Sequence, residues 1–238
     1  MEQARNKEQK CPVVLLLDTS GSMAGAPIDE LNDALIKLKD EILTNPMLSS
    51  RLEVGIVAFD DDARVERPID LISPDTDLPI LNIGGVTNLV AGMNKAIELV
   101  TDRKNFYKSN NEQYYRPIIV LFTDGEPTNT PEEIDQLDQT IQKLSDEKRF
   151  MFLPFGVGDI TEGDDKMQLL AKLAAQSVDK DGIVKNSGTA YRMTGFDQFA
   201  KVFLFLSASI SGIIEKGGTQ AVQLPTSVAT PVSFDLST

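Results

Sequence analysis

Apolar positions along the chain come in two rhythms, and the rhythms alternate. Short, dominantly apolar stretches occupy residues 13–17 (Val-Val-Leu-Leu-Leu), 52–59, 117–122 and 150–156. Strands buried on both faces read this way. Between them, apolar residues recur three or four apart, as amphipathic helices require. One such stripe is Ile28, Leu31, Leu35, Leu38 and Ile42, and it stops at Asn45-Pro46. A second is Leu89, Met93, Ala96, Ile97 and Val100, with the polar stretch 102–116 extending it and then looping. A third is Ile134, Leu137, Ile141 and Leu144, opened by Thr130-Pro131-Glu132-Glu133, which is a capping box with proline at the first helical position.

The remaining elements are shorter. Asp60-Asp61-Asp62 makes a tight turn, so 63–69 is expected as a hairpin partner on the sheet edge. A short helix is expected over 167–175, a final short strand over 190–193, and a last helix over 196–214 with Phe199, Val202, Phe203, Leu206 and Ile210 as its core stripe. The acidic segment 159–165 reads as a solvated turn, because a calcium loop needs a longer regular ligand spacing. Residues 217–238 turn into Gly, Pro, Ser, Thr and Val, a tail with one strand expected at 221–224. Alternating strands and helices imply an α/β fold. The expected sheet is central, twisted and mostly parallel, with one short antiparallel edge strand and helices on both faces. One domain over 12–214 is expected, with an N-terminal extension, 1–11, and a C-terminal tail, 215–238.

Composition narrows the chemistry. The 238 residues include 36 acidic and 23 basic ones, a net charge of -13. Nucleic-acid binding rests on Lys and Arg neutralising phosphates, so no nucleic-acid partner is expected. Anionic membranes are disfavoured in the same way. The chain has no His, which removes the commonest general base and every His-bearing zinc site. The single Cys11 suits a reducing compartment, and the first ten residues hold no apolar segment, so a cytoplasmic location is expected.

The first apolar run ends abruptly at Asp18, and Ser20 and Ser22 follow at alternate positions around Gly21. One carboxylate and two hydroxyls at the exit of a central strand suit a hard cation such as magnesium, and ligands of open α/β sheets bind there. The plain alternative is that Asp and Ser cap the next helix. Asp124 stands where the third run ends. If the two strands are neighbours, the two carboxylates approach each other and repel, and a divalent cation removes that conflict. Thr87 follows Gly84-Gly85 and precedes a helix, so its hydroxyl can reach the same point from a mobile loop.

These residues carry a resemblance. Asp-x-Ser-x-Ser at Asp18, Ser20 and Ser22, Thr87 after the glycine pair, and Asp124 in Thr-Asp-Gly resemble the metal-ion-dependent adhesion site of von Willebrand factor type A (vWA) domains. The resemblance covers about 12–213 and implies a Rossmann-like three-layer fold. It further implies that Ser20 and Ser22 bind the metal directly, while Thr87 and Asp124 trade between direct and water-mediated contact. The motif wording is similar to bacterial TerY-like proteins of tellurite-resistance and stress-response gene clusters. Some relatives there carry a zinc-binding module, for which this chain lacks the Cys and His.

The function expected is therefore a metal-ion-dependent protein-binding or scaffold module and not an enzyme. Mg²⁺ is the expected ion, with Mn²⁺ or Ca²⁺ as alternatives, and a protein partner supplies a Glu or Asp to its open position. Two other readings stay open. A metal-dependent phosphoester hydrolase would need a base, for which Asp60 and Asp61 are the candidates. A structural interaction protein would carry the metal site without using it.

Overall fold

The structure, a computed structural model, describes residues 8–157, 165–174, 189–193, 195, 198–215 and 229–233. Seven strands form one sheet in the order β3-β2-β1-β4-β5-β6-β7. They are β1 (Cys11–Asp18), β2 (Leu52–Phe59), β3 (Ala63–Leu71), β4 (Ile118–Thr123), β5 (Met151–Val157), β6 (Thr189–Met193) and β7 (Thr230–Ser233). The helices are α1 (Ala26–Thr44), α2 (Pro46–Arg51), α3 (Leu89–Asn110), α4 (Pro131–Asp146), α5 (Asp165–Leu173) and α6 (Phe199–Glu215).

Strands β2, β1, β4, β5 and β6 run parallel, and each is covered on both faces. The period of two explains how. Val13, Leu15 and Leu17 of β1 face one core, with α1, α2 and α6; Val14 and Leu16 face the other, with α3, α4 and α5. Of the last-helix stripe, Phe199, Val202, Phe203 and Ile210 are core, as the spacing predicts, and Leu206 lies outside the described side chains; Phe199 and Phe203 meet the ring of Phe122 edge-on, each with centroids 5.3 Å away. Caps fix the helix bounds. The Asn45 side chain accepts from Met47 N–H, so one residue ends α1 and starts α2 ahead of Pro46. At α4 the Thr130 and Glu133 box forms in full.

Three features depart from the sequence expectations. The sheet has two antiparallel edge strands where one short one is expected. β3 pairs antiparallel with β2 and is nine residues long, and β7 pairs antiparallel with β6 at the far edge. β7 lies in the segment read as a tail; the strand expected at 221–224 falls outside the described residues. α2 is an added turn of helix, hidden in the sequence because its six residues bury only Leu48. The acidic turn at 159–165 also lies outside the described residues, except Asp165, which begins α5.

Between β1 and β4 the chain changes direction of growth across the sheet. In open α/β sheets such a switch point leaves a crevice beyond the strand exits. Asp18 is the last residue of β1, and Asp124 is the first residue beyond β4.

Candidate functional site

Parallel pairing of β1 with β4 brings the two carboxylates to one place. Asp18 is fully buried, and Oδ1 accepts the Ser20 amide N–H at 2.9 Å. Ser20 and Ser22 hydroxyls lie 3.1 Å apart, and Ser22 donates to Asp124 Oδ1 at 2.6 Å. Thr87 enters from the loop before α3. A Cβ added at Gly125 would stand 2.8 Å from Thr87 Oγ1, 3.5 Å from Ser22 Oγ and 3.7 Å from Asp18 Oδ2. Those three oxygens thus line one small hollow, which only glycine at 125 leaves open. All five residues singled out in the sequence meet at the switch point.

The helix-cap alternative does not describe this geometry. Ser20 precedes a single 3₁₀ turn, 21–23, yet its side chain makes no capping hydrogen bond there, and α1 is preceded by Gly25.

Electrostatics set the two carboxylates apart from their neighbours. Burial pushes Asp18 above the usual carboxylate range, against hydrogen bonds from Ser20 and Thr123, and Asp124 pushes it further. Burial likewise raises Asp124, against the Ser22 hydrogen bond; Lys166 lowers it weakly. Among the described residues neither forms an ion pair. Nor is there among them a group of three or more His, Cys, Asp or Glu placed to hold a metal. The hollow instead combines two carboxylates with hydroxyls, a donor set that fits a hard divalent cation.

Thr123 is the residue that sequence reading missed. Its hydroxyl donates to Asp18 Oδ2 at 2.5 Å, so both oxygens of that carboxylate are oriented by protein groups. Its place in Thr-Asp-Gly, level with Asp18 across the β1–β4 pair, was the available signal.

The loop carrying Thr87 is tied down on both sides rather than free. Gly84 N–H donates to Thr19 O at 2.7 Å, Gly21 N–H to Gly85 O at 2.8 Å, and Thr128 N–H to Thr87 O at 2.9 Å. Asp60 and Asp61 serve this lacing. Arg64 grips Asp60 through two nitrogens, at 3.0 and 2.8 Å, and Thr19 donates to it at 3.1 Å. Those Arg64 hydrogen bonds hold Asp60 below the usual carboxylate range. Asp61 accepts the Val86 amide N–H at 2.9 Å. Asp60, buried and gripped in this way, is a poor general base.

The family model described as the von Willebrand factor type A domain matches residues 13–203, most of the chain. The chain belongs to the von Willebrand factor type A domain family. Among relatives, inter-alpha-trypsin inhibitor heavy chain H3 of Mesocricetus auratus is 27% identical over 153 residues, 62% of this chain. The chain spans 16% of that relative's length. Two solved structures share the fold. One is the ArnB paralog VWA2 from Sulfolobus acidocaldarius, with TM-score 0.54 and 18% identity, covering 84% of this chain and 45% of that one. The other is proximal thread matrix protein 1 from the mussel byssus, with TM-score 0.55 and 16% identity, covering 84% of this chain and 48% of that one. The mussel protein was solved with a zinc-occupied MIDAS motif. Among the described residues of the present vWA domain, no helix is long and apolar enough to cross a membrane.

Proposed function

We propose that this vWA domain is a metal-dependent protein-binding module. Asp18, Ser20, Ser22, Thr87 and Asp124 would hold one divalent cation, Mg²⁺ first, with Mn²⁺ or Ca²⁺ as alternatives. The observation that carries this reading is a pair of carboxylates around one hollow, both pushed toward the neutral form by burial and Asp18 further by Asp124, with neither in an ion pair among the described residues. A bound cation supplies the missing charge and presents an open position, and a Glu or Asp of a protein partner is the ligand that suits it. The mussel protein's zinc-occupied motif makes a divalent metal the first class of ligand to test. No enzymatic role is proposed, because Asp60 is gripped by Arg64 and Asp61 holds the Thr87 loop. The resemblance to TerY-like proteins supports a cytoplasmic setting beside a bacterial tellurite-resistance or stress-response system, and the vWA unit is taken as 12–214.

Calorimetric titration of the EDTA-treated protein tests the metal. Saturable Mg²⁺ binding is expected for wild type and its loss for Asp18→Asn, with far-UV circular dichroism unchanged. Affinity capture from lysate of the native host tests the partner. A protein retained with Mg²⁺, released by EDTA and not retained by Thr87→Ala supports the reading; a partner indifferent to metal removes it.

A further inference from the structure

At the opposite end of the strands, four cations gather in a chain whose net charge is -13. Lys104 and Lys108 come from the last turns of α3, Arg116 from the approach to β4, and Arg149 from the approach to β5. Between α3 and the Arg149 turn lies a notch with about 300 Å³ of empty space, part of it open to solvent. Thr101, Lys104, Asn105, Lys108 and Arg149 line it above apolar walls that include Phe150, and no carboxylate does.

The buried member is Lys104, only 8% exposed. An ammonium has three N–H donors. Among the described residues Lys104 uses one, to Arg149 O at 2.9 Å. Arg116 donates to Ser145 O at 2.9 Å, but its Nε is buried without a hydrogen-bond partner. The carboxylate nearest Arg149 is Glu147, at 3.7 Å and on the exposed side of the turn. Burial lowers the Lys104 ammonium below its usual value, and Arg149, Lys108 and Arg116 lower it further. An anion in the notch reverses each of those penalties. The turn that aims Arg149 is fixed by the chain itself: Lys148 adopts φ 54°, and Arg149 N–H donates to Leu144 O at 2.8 Å.

We infer that this notch binds a phosphate group, as the free ion or as a phosphate monoester, between Lys104, Lys108 and Arg149. Cations reach the notch from two elements, with the Asn105 amide beside them. That array offers more donors than the two oxygens of a carboxylate accept, and it suits a tetrahedral dianion.

The test uses the full chain in EDTA at low ionic strength, so that no metal at the other end can bind phosphate. Inorganic phosphate and O-phosphoserine are titrated separately by calorimetry; the tighter of the two identifies the source. Saturable binding is expected, weakened at least tenfold by Lys108→Ala and by Arg149→Ala, whose side chains reach solvent, and unchanged by Asp18→Asn. Absence of saturation with both probes overturns the site, as does binding that survives both alanine variants. Acetate binding as tightly as phosphate overturns the choice of a tetrahedral anion.

Discussion

Two of the carboxylates buried at strand ends, Glu53 at the entry of β2 and Asp18 at the exit of β1, are treated in opposite ways by the protein. Glu53 receives Arg103 through two nitrogens, at 2.8 and 2.6 Å, and the Tyr107 hydroxyl besides. The Arg103 guanidinium in turn lies over the rings of Phe106 and Tyr107, 4.7 and 5.1 Å from their centroids. Burial works against that guanidinium, yet its hydrogen bonds to Glu53 hold its pKa above the usual value. Asp18 receives neutral donors of Ser20 and Thr123, forms no ion pair among the described residues, and faces a second carboxylate. A buried charge with its counter-charge built in is a finished structural joint. A buried charge without one is a request for a ligand, and that difference points to function more directly than burial alone.

The comparison breaks most visibly at Glu53. Arg103→Ala leaves that carboxylate buried without its hydrogen-bonded cation, with Lys10 and Arg67 attracting it from beyond hydrogen-bond distance, and a loss of about 3–5 kcal/mol of stability is expected, the cost of removing one partner from a buried pair. Urea unfolding midpoints measure it. The double variant Glu53→Leu with Arg103→Met is expected to recover much of the loss, since it leaves no charge uncompensated. If Arg103→Ala costs less than about 1 kcal/mol, the size of an exposed pair, then Glu53 is no more finished than Asp18 and the contrast fails.

Asp18 sharpens the comparison through pH and metal. A carboxylate whose folded pKa is raised binds protons more tightly folded than unfolded, so its contribution to stability is present at acid pH and is lost as pH rises through its folded pKa. Both Asp18 and Asp124 are raised, so in EDTA the pair disfavours the fold above the usual carboxylate range near 3.8. Asp60, held low by Arg64, contributes the opposite way: its stabilisation is present above the ordinary carboxylate value and fades as pH falls through its lowered one. In EDTA, Asp18→Asn is therefore expected to match or exceed wild-type stability at neutral pH, with the gap closing toward acid. Saturating Mg²⁺ reverses the order. At a hundredfold excess over Kd, a ligand adds about 2.7 kcal/mol to the form that binds it. Thermal melts of both proteins at several pH values, with EDTA and with Mg²⁺, check this. An Asp18→Asn protein stabilised by Mg²⁺ as much as wild type would remove Asp18 from the proposed ligand set.

How far the sequence carried this contrast depends on the length scale of each signal. Asp18, Ser20, Ser22 and Asp124 stood out because strand exits are local, an apolar run stopping and oxygen-bearing side chains following, and Thr87 stood out because a glycine pair precedes it just ahead of a helix. Their meeting follows from β1 lying beside β4, which the parallel pattern made economical. Thr123 was passed over because it stands just past the apolar run 117–122, beside the more conspicuous Asp124, and only the register with Asp18 shows its hydroxyl turned to the carboxylate. Glu53 was hidden more deeply. It sits in a run otherwise read as core, and its partners lie 50 and 54 positions away on α3. β7 escaped for another reason: four residues with a proline among them carry too little period-two pattern to register as a strand, and the edge position is what tolerates Pro231. The cation notch has no sequence pattern at all, since Lys104 and Lys108 look like an ordinary solvated helix face until Arg116 and Arg149 arrive from the approaches to β4 and β5.

The smallest expected effect tests whether the amino-terminal end is finished by the backbone as well as by charge. Lys148 follows α4 at φ 54°, with its N–H bonded to Ser145 O at 2.8 Å. An L residue in the left-handed region gives up about 1–2 kcal/mol. Glycine has no Cβ to strain there but loses roughly 0.5–1 kcal/mol more chain freedom on folding. Lys148→Gly is thus expected to stabilise the domain by about 0.5–1 kcal/mol, the remainder of those two numbers. The Lys148 side chain is not among those lining the notch, and the turn geometry that aims Arg149 is what glycine favours. The variant should therefore melt higher while titrating with phosphate as wild type does. A higher melt with lost phosphate binding would show that the Lys148 charge, and not the shape of its turn, equips this end of the sheet.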